Sequence, residues 1–513
     1  MLIALISGAI SFSLLTRGQS WLDDFASYLM QAKSILNGSM DEFVRRNAFT
    51  VGTSSYPPGP AAYPWGFPLL LAPVYAVFGM SALAFKLLNT LFYVLFLAAF
   101  FALACTRLQD VEALALTAAL AFNPALLLAH DLILSDIPFL FFCTLGIFLA
   151  EKFAAGEMSL RAGLSRSNLP FNGVLLSSGD CHAAEKQERR LAMTLLTGAA
   201  AGAVIFAASF IRTNGILLLI PLALGQLIQL WPQRREKTLF LAALKYASLP
   251  YLTFGVLSIA QALIFPNGQE SYLSHFSMFS LQGLWDNFLY YLWLPSWTFR
   301  EIPAGAAFYP LLLIFVVVSV LKRGRRDLPI HAFSLASVAL FILWPERQGL
   351  RFIYPVLPFL FIFAFDGINL AVVGLKEKWQ KPARLALTGF WLLLIVVSLG
   401  VSFSYARENL SANRAINGPF DPISAEMFAF VREKTPAESV IVFFKPRALR
   451  LFTDRDSFMT ERCADLPKGD YLALSKKVGD NGQIALEEVT SCTEVKFEEV
   501  FNNRRFTVYK IDN

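Results

Sequence analysis

Charge is what this chain has least of. Asp, Glu, Lys and Arg make up 16% of its 513 residues, against roughly 25% in soluble globular domains. So few charges cannot clothe a soluble protein of this size. Cysteine is scarce too: five residues, too few and too scattered for a disulfide framework or a zinc cluster. No basic residue precedes the first apolar run, Leu2 to Thr16, and no cleavage site follows it, so it reads as an uncleaved span rather than a secretory signal. There is no fixed-period repeat, and no extended basic face interleaved with aromatics. Nucleic-acid binding is therefore excluded despite the net charge of +6.

What the chain has instead is apolar surface: 56% hydrophobic residues, 48 of them Phe, and a mean hydropathy of +0.52. A bilayer demands this, because each spanning helix takes about 20 apolar residues. Runs of or near that length are 2–16, 82–104, 112–129, 132–150, 192–211, 214–231, 239–264, 306–321, 329–344, 352–374 and 384–404. A twelfth, 65–79, is interrupted by Pro64, Pro68 and Pro73.

Basic clusters orient these spans. With the N-terminus cytoplasmic and 65–79 not crossing, the cytoplasmic loops are 105–111, 151–191, 232–238, 322–328 and 375–383. They carry Arg234, Arg235, Lys237, Lys322, Arg323, Arg325, Arg326, Lys376, Lys378 and Lys381, as the positive-inside rule requires. If 65–79 crossed, every later cluster would face outward. The expectation is an all-α polytopic membrane protein of about 11 transmembrane helices, with 65–79 at the outer interface.

Three extracytoplasmic pieces follow: a first loop (17–81), a second (265–305), and a tail from about 406 where charge rises. In the tail Ser439–Phe444, Tyr471–Leu474 and Phe506–Ile511 read as strands and Ala425–Lys434 as a helix, which makes a small α/β domain. The division is 1–405 for the membrane domain and 406–513 for the soluble one. Cys463 and Cys492 share that tail, where a disulfide is open to them. The stretch 158–188 reads as an irregular cytoplasmic loop.

The chemistry is expected at the outer boundary. Asp23 and Asp24 follow the first span and open an amphipathic stretch, Asp24–Leu36. Asp131 and Asp136 lie in the only short outward loop that is acidic. Carboxylates gathered there can supply a general base, a metal site, or both. Lys86, Arg212, Arg347 and Arg351 fall at outer ends of spans, where cations are the exception. A phosphate group would account for them, and so would snorkelling. His130 and His275 are also outward; His130 with Asp24 and Asp136 is the candidate ligand set for a divalent metal ion. The run Tyr56-Pro-Pro-Gly-Pro-Ala-Ala-Tyr-Pro-Trp-Gly-Phe-Pro68 suits either the wall of a sugar or lipid pocket or an interfacial aromatic belt.

Taken in order, Trp21-Leu-Asp23-Asp24-Phe-Ala-Ser-Tyr28, Tyr63-Pro-Trp-Gly-Phe-Pro-Leu-Leu-Leu-Ala-Pro73, Ser135-Asp136-Ile-Pro138 and Arg351-Phe-Ile-Tyr-Pro-Val-Leu-Pro358 resemble the GT-C superfamily of polyprenyl-phosphate-sugar glycosyltransferases. The branch they resemble most contains protein O-mannosyltransferases, the lipid A aminoarabinose transferase and RgtA/B/C/D-type enzymes. Many members have Asp-Glu where this chain has Asp23-Asp24. The resemblance implies a sugar moved from a polyprenyl-phosphate donor to a hydroxyl of a glycolipid, polysaccharide or protein, on the outer face of a bacterial inner membrane. It implies Asp23 as base, with inversion at the anomeric carbon. Asp136 would position the acceptor or a metal, and Arg351 or Arg347 would neutralise the departing phosphate. A secondary transporter or lipid flippase is the rival, and it would place ionisable residues near the midplane and pair two matching halves.

Overall fold

The computed structural model describes residues 2–56, 58–166, 178–235, 237–268, 280–303, 305–324, 327–476, 482–484, 489, 492 and 495–512. His275 lies outside them. Among the described residues seven helices are long and apolar enough to cross a membrane: Ala82–Ala104, Asp136–Ala154, Ala192–Ile211, Thr213–Leu230, Ala243–Ile264, Gly305–Arg323 and Glu377–Ser411. Shorter apolar helices are Leu2–Leu14, Gly66–Phe78, Leu328–Leu343 and Leu357–Val373. The run 112–129 breaks at Asn123, whose side chain caps a second helix that starts at Pro124, giving Asp110–Ala121 and Pro124–Ala129. Proline fits there because the first helical position needs no N–H. The seven, three of the short helices and this broken pair answer to the eleven expected crossings. Gly66–Phe78 is the proline-interrupted element.

The loops expected to face outward hold more regular structure than their hydropathy suggested. The first carries Asp24–Asn37 and Met40–Thr53 ahead of Gly66–Phe78. The second carries the helix Leu281–Trp293. Into the stretch expected to be irregular, helices run as far as Arg166 and resume at Ser178.

Beyond the last long helix the chain forms a five-stranded sheet: β1 (Val440–Val442), β2 (Asp456–Phe458), β3 (Tyr471–Ser475), β4 (Lys496–Asn502) and β5 (Phe506–Asp512), in the order β2-β1-β3-β5-β4. β1 is parallel to β2 and β3, while β5 is antiparallel to β3 and β4. One face is covered by the helix Pro422–Lys434, whose Met427, Phe428 and Val431 are buried with Ile441, Phe443 and Phe506. On the other face Cys463 and Cys492 are joined, their Cα atoms 5.6 Å apart, beside Phe458, Leu466 and Leu472.

This sheet domain, the outer domain by the side that the charge pattern assigns to it, is locked to the first loop. The ring of Trp21 stands 5.1 Å from that of Phe444 and 5.9 Å from that of Phe443. Arg46 pairs with Asp454 and Asp456, each at 2.8 Å. At the opposite end of the bundle Arg107 gathers Glu151 and Asp327, and Arg323 pairs with Asp366. Loops assigned to one side of the membrane by charge thus meet at one end of the molecule.

Candidate active site

The helix Asp24–Asn37 forms because Phe25, Ala26, Leu29 and Ala32 recur at helical spacing and are fully buried. That burial turns Asp24 and Tyr28, one turn apart, toward a common space. Gln31, on the same helix, donates to the Tyr63 carbonyl at 2.9 Å and accepts from the Tyr63 amide at 3.2 Å. Asn47 donates to the Ala61 carbonyl at 2.5 Å. The Pro- and Tyr-rich run is thereby pinned, with the Tyr63 ring 4.8 Å from that of Tyr28. Gly66 has no room for a side chain, since a Cβ would stand 2.5 Å from the Phe210 carbonyl oxygen. This close approach seats the run beside Arg212.

A cavity of about 940 Å³ opens between these elements and the outer domain. Asp23, Asp24, Tyr28, Tyr63, Arg212 and Arg351 line it, with Lys445 and Glu461 on the outer-domain side. Asp24 accepts from the Tyr63 hydroxyl at 2.7 Å and from Arg351 Nη2 at 3.1 Å. Asp136 is the first residue of its helix and is buried beneath the cavity wall. There it accepts from Arg351 Nε at 3.0 Å and from Arg212 Nη1. One carboxylate therefore aims both guanidiniums.

Asp23 differs from its neighbours. It is 9% exposed, yet neither carboxylate oxygen accepts a hydrogen bond among the described residues. Its nearest cation is Arg447 Nε, 3.7 Å away. Burial raises its pKa from 3.8 to about 6; Arg447 and Lys445 pull it back, the charge of Asp24 pushes it up, and the Ala448 amide gives a small downward pull without meeting hydrogen-bond geometry. Asp24 goes the other way. Burial is again the largest influence and acts upward, but Arg351, the Tyr63 hydroxyl and the charge of Arg447 together outweigh it and leave the carboxyl below its usual range. Two adjacent acids are thus split into one that is capped and charged and one with open lone pairs.

The other sequence candidates lie apart from the cavity. Lys86 is wholly buried and donates to Asp131 at 2.8 Å and to Thr16 Oγ1 at 2.6 Å, clamping the end of the first span. Arg347 donates to Asn287 at 2.9 Å and lies over the Tyr290 ring. His130 is buried against the Ser11 carbonyl at 3.2 Å and stacked on Tyr93. Among the described residues no three His, Cys, Asp or Glu side chains come together to hold a metal ion. Between Asp24 and Asp136, where a cation would be shared, stands Arg351. Among the described residues, Asp24, Asp136 and His130 do not converge on one site, and a guanidinium stands where two of them meet.

Sequence reasoning missed Lys445, Arg447 and Glu461. All three belong to the soluble tail, where a charged residue ordinarily faces water. Arg447, wholly buried, gives no local sign of it.

The whole architecture has counterparts among solved structures. The crystal structure of ArnT from Cupriavidus metallidurans in the apo state matches with a TM-score of 0.56, and the form bound to undecaprenyl phosphate with 0.53. Each is 14% identical and aligns 99% of this chain with 97% of that one. The apo oligosaccharyltransferase of Archaeoglobus fulgidus matches with a TM-score of 0.50 and 10% identity, over 92% of this chain and 69% of its own. No protein-family model matches the chain, and no curated protein does. The likeness runs over nearly the whole chain and is one of fold, with the expected membrane helices and C-terminal sheet domain.

Proposed function

We propose that this protein is a membrane glycosyltransferase that moves a sugar from a polyprenyl-phosphate carrier to an acceptor hydroxyl on the outer face of the membrane. The observation that carries this reading is Asp23: a buried carboxylate with open lone pairs, facing a cavity that also holds two guanidiniums. The solved relative with undecaprenyl phosphate supports the donor class, because its fold is the one found here.

In this reading Asp23 takes the proton from the acceptor hydroxyl. The acceptor oxygen attacks the anomeric carbon as the bond to the phosphate oxygen breaks, and the configuration inverts. Polyprenyl phosphate departs with the bonding pair, and Arg212 and Arg351 stabilise the charge that develops on it. A base is most effective when its pKa lies near the working pH, and about 6 satisfies that. Transport is disfavoured because the arginines of the buried pairs Arg351–Asp136 and Arg323–Asp366 lie at opposite ends of the bundle, Arg323 as the last residue of its helix.

The test is transfer of labelled sugar from a panel of undecaprenyl-phosphate donors into membranes, with wild type compared to Asp23→Asn at matched expression. Transfer by wild type alone, with donor binding retained by both, is expected. Equal transfer by both removes Asp23 from the chemistry.

A further inference from the structure

The outer domain reaches the acid through one short helix, Pro446–Thr453, whose Ala448, Leu449 and Thr453 are buried. The residues at its start, Lys445-Pro446-Arg447-Ala448, face Asp23. Arg447 is 0% exposed. Its Nη2 donates to the Pro60 carbonyl at 2.5 Å, its Nη1 to the Pro58 carbonyl at 2.8 Å and to the Tyr63 hydroxyl at 3.4 Å, and its Nε to Asn47 Oδ1 at 3.3 Å. Gly59 makes the approach feasible: at φ +120° it passes under the guanidinium, and a Cβ would stand 2.6 Å from the Tyr63 hydroxyl and 3.2 Å from Arg447 Nη1.

Folding rarely buries an arginine this completely without giving its charge a counterpart. The carbonyls satisfy its donors, but among the described residues the only carboxylate within ion-pair reach is Asp23, at 3.7 Å. At that separation the guanidinium offsets the burial of the acid without occupying its lone pairs. Lys445 lines the same cavity, is half-buried, and makes no ion pair among the described residues. The remaining charge near Asp23 is Asp24, already committed to Arg351, and the Tyr63 hydroxyl is committed to Asp24. The helix start also presents its amides on this side, which favours an anion.

We propose that Lys445 and Arg447 are positioning residues for Asp23, supplied by the outer domain, which keep its buried carboxylate ionised and leave it uncapped. Docking of the outer domain thereby completes the base rather than merely roofing the site. This rests on the reading of Asp23 as the base, but it is tested apart from it.

The experiment uses full-length protein in lipid nanodiscs and dicyclohexylcarbodiimide, which modifies buried carboxyls in their protonated form. The Asp23 adduct is quantified by peptide mass spectrometry across pH, with Asp23→Asn as the blank. Wild type is expected to lose labelling as pH rises through about 6. Arg447→Gln moves that midpoint upward by about one pH unit or more, Lys445→Gln moves it the same way by less, and Arg447→Lys keeps it near wild type. A merely structural role for Arg447 would lower the amount of folded protein without moving the midpoint. Midpoints unchanged in both Gln variants overturn the proposal. If Arg447→Gln does not accumulate, Lys445→Gln decides alone, since its half-buried side chain pairs with no carboxylate among the described residues. Transfer retained by Asp23→Asn would instead remove the base reading and leave the labelling result standing.

Discussion

Arg351 donates from Nε to Asp136 at 3.0 Å, joining the short helix Leu350–Ile353 to the start of the helix at Asp136. The same guanidinium reaches Asp24 through Nη2. The planar fork holds the two carboxylates in fixed directions, a geometry that the rotating donors of a lysine ammonium on its flexible stem do not reproduce. Arg351→Lys is therefore expected to lower sugar transfer by about a hundredfold, although the charge is kept. Rates near wild type in the membrane assay would show that the bridging geometry is idle.

The raised pKa of Asp23 fixes a pH dependence. The fold favours its protonated form, so the folded state holds a proton that the unfolded chain releases above about 4. The stability this confers is present below that pH and is lost as pH rises to about 6. Transfer runs the opposite way, rising through about 6 as the base form appears. At neutral pH Asp23→Asn should then be inactive yet more stable than wild type, by roughly 2–4 kcal/mol. Thermal unfolding in detergent at acid and neutral pH checks the first sign, and sugar transfer measured over the same range checks the second.

Gly59 sits at φ +120° with Tyr63 and Arg447 against it. Gly59→Ala combines a disfavoured backbone with a clash against the Tyr63 hydroxyl, for an expected cost of about 1–3 kcal/mol in backbone strain alone. Transfer should fall with it, because the displaced Tyr63 also holds Asp24. A variant with wild-type melting behaviour would refute the close packing of Gly59 against Tyr63 and Arg447.

Trp21 ends in an aromatic cluster with Phe428, Phe443, Phe444 and Phe506. Trp21→Ala leaves a cavity between the first loop and the outer domain and is expected to cost about 3 kcal/mol. Limited proteolysis of the intact membrane protein should then cut the outer domain free sooner than in wild type. Unchanged cleavage would place the docking energy elsewhere, with Arg46 and its two aspartates the next to substitute.

The bilayer made much of this architecture legible in the sequence. Hydrocarbon tolerates few charges, so spans such as 82–104 and 384–404 stand out by composition, and the basic loops between them mark which ends lie together. Asp23, Asp24, Asp136, Arg212 and Arg351 were findable for the same reason. A charge at the end of an apolar run is conspicuous, and these five do gather at one end of the bundle. Lys86 and Arg347 were equally conspicuous, but the structure commits them to Asp131 and Asn287. Position along a span says how deep a residue sits and nothing of which neighbour it faces.

By itself, then, the sequence determined the membrane class, the spans and the layer in which the charges lie, because those follow from local composition against an apolar solvent. Only the tertiary structure decided which charges meet. The partition of Asp23 from Asp24 depends on Arg351 and Arg447, which arrive from distant segments, one through a span end and one through the outer domain. Burial and partnership set the chemistry of a carboxylate, and both are properties of the packed molecule.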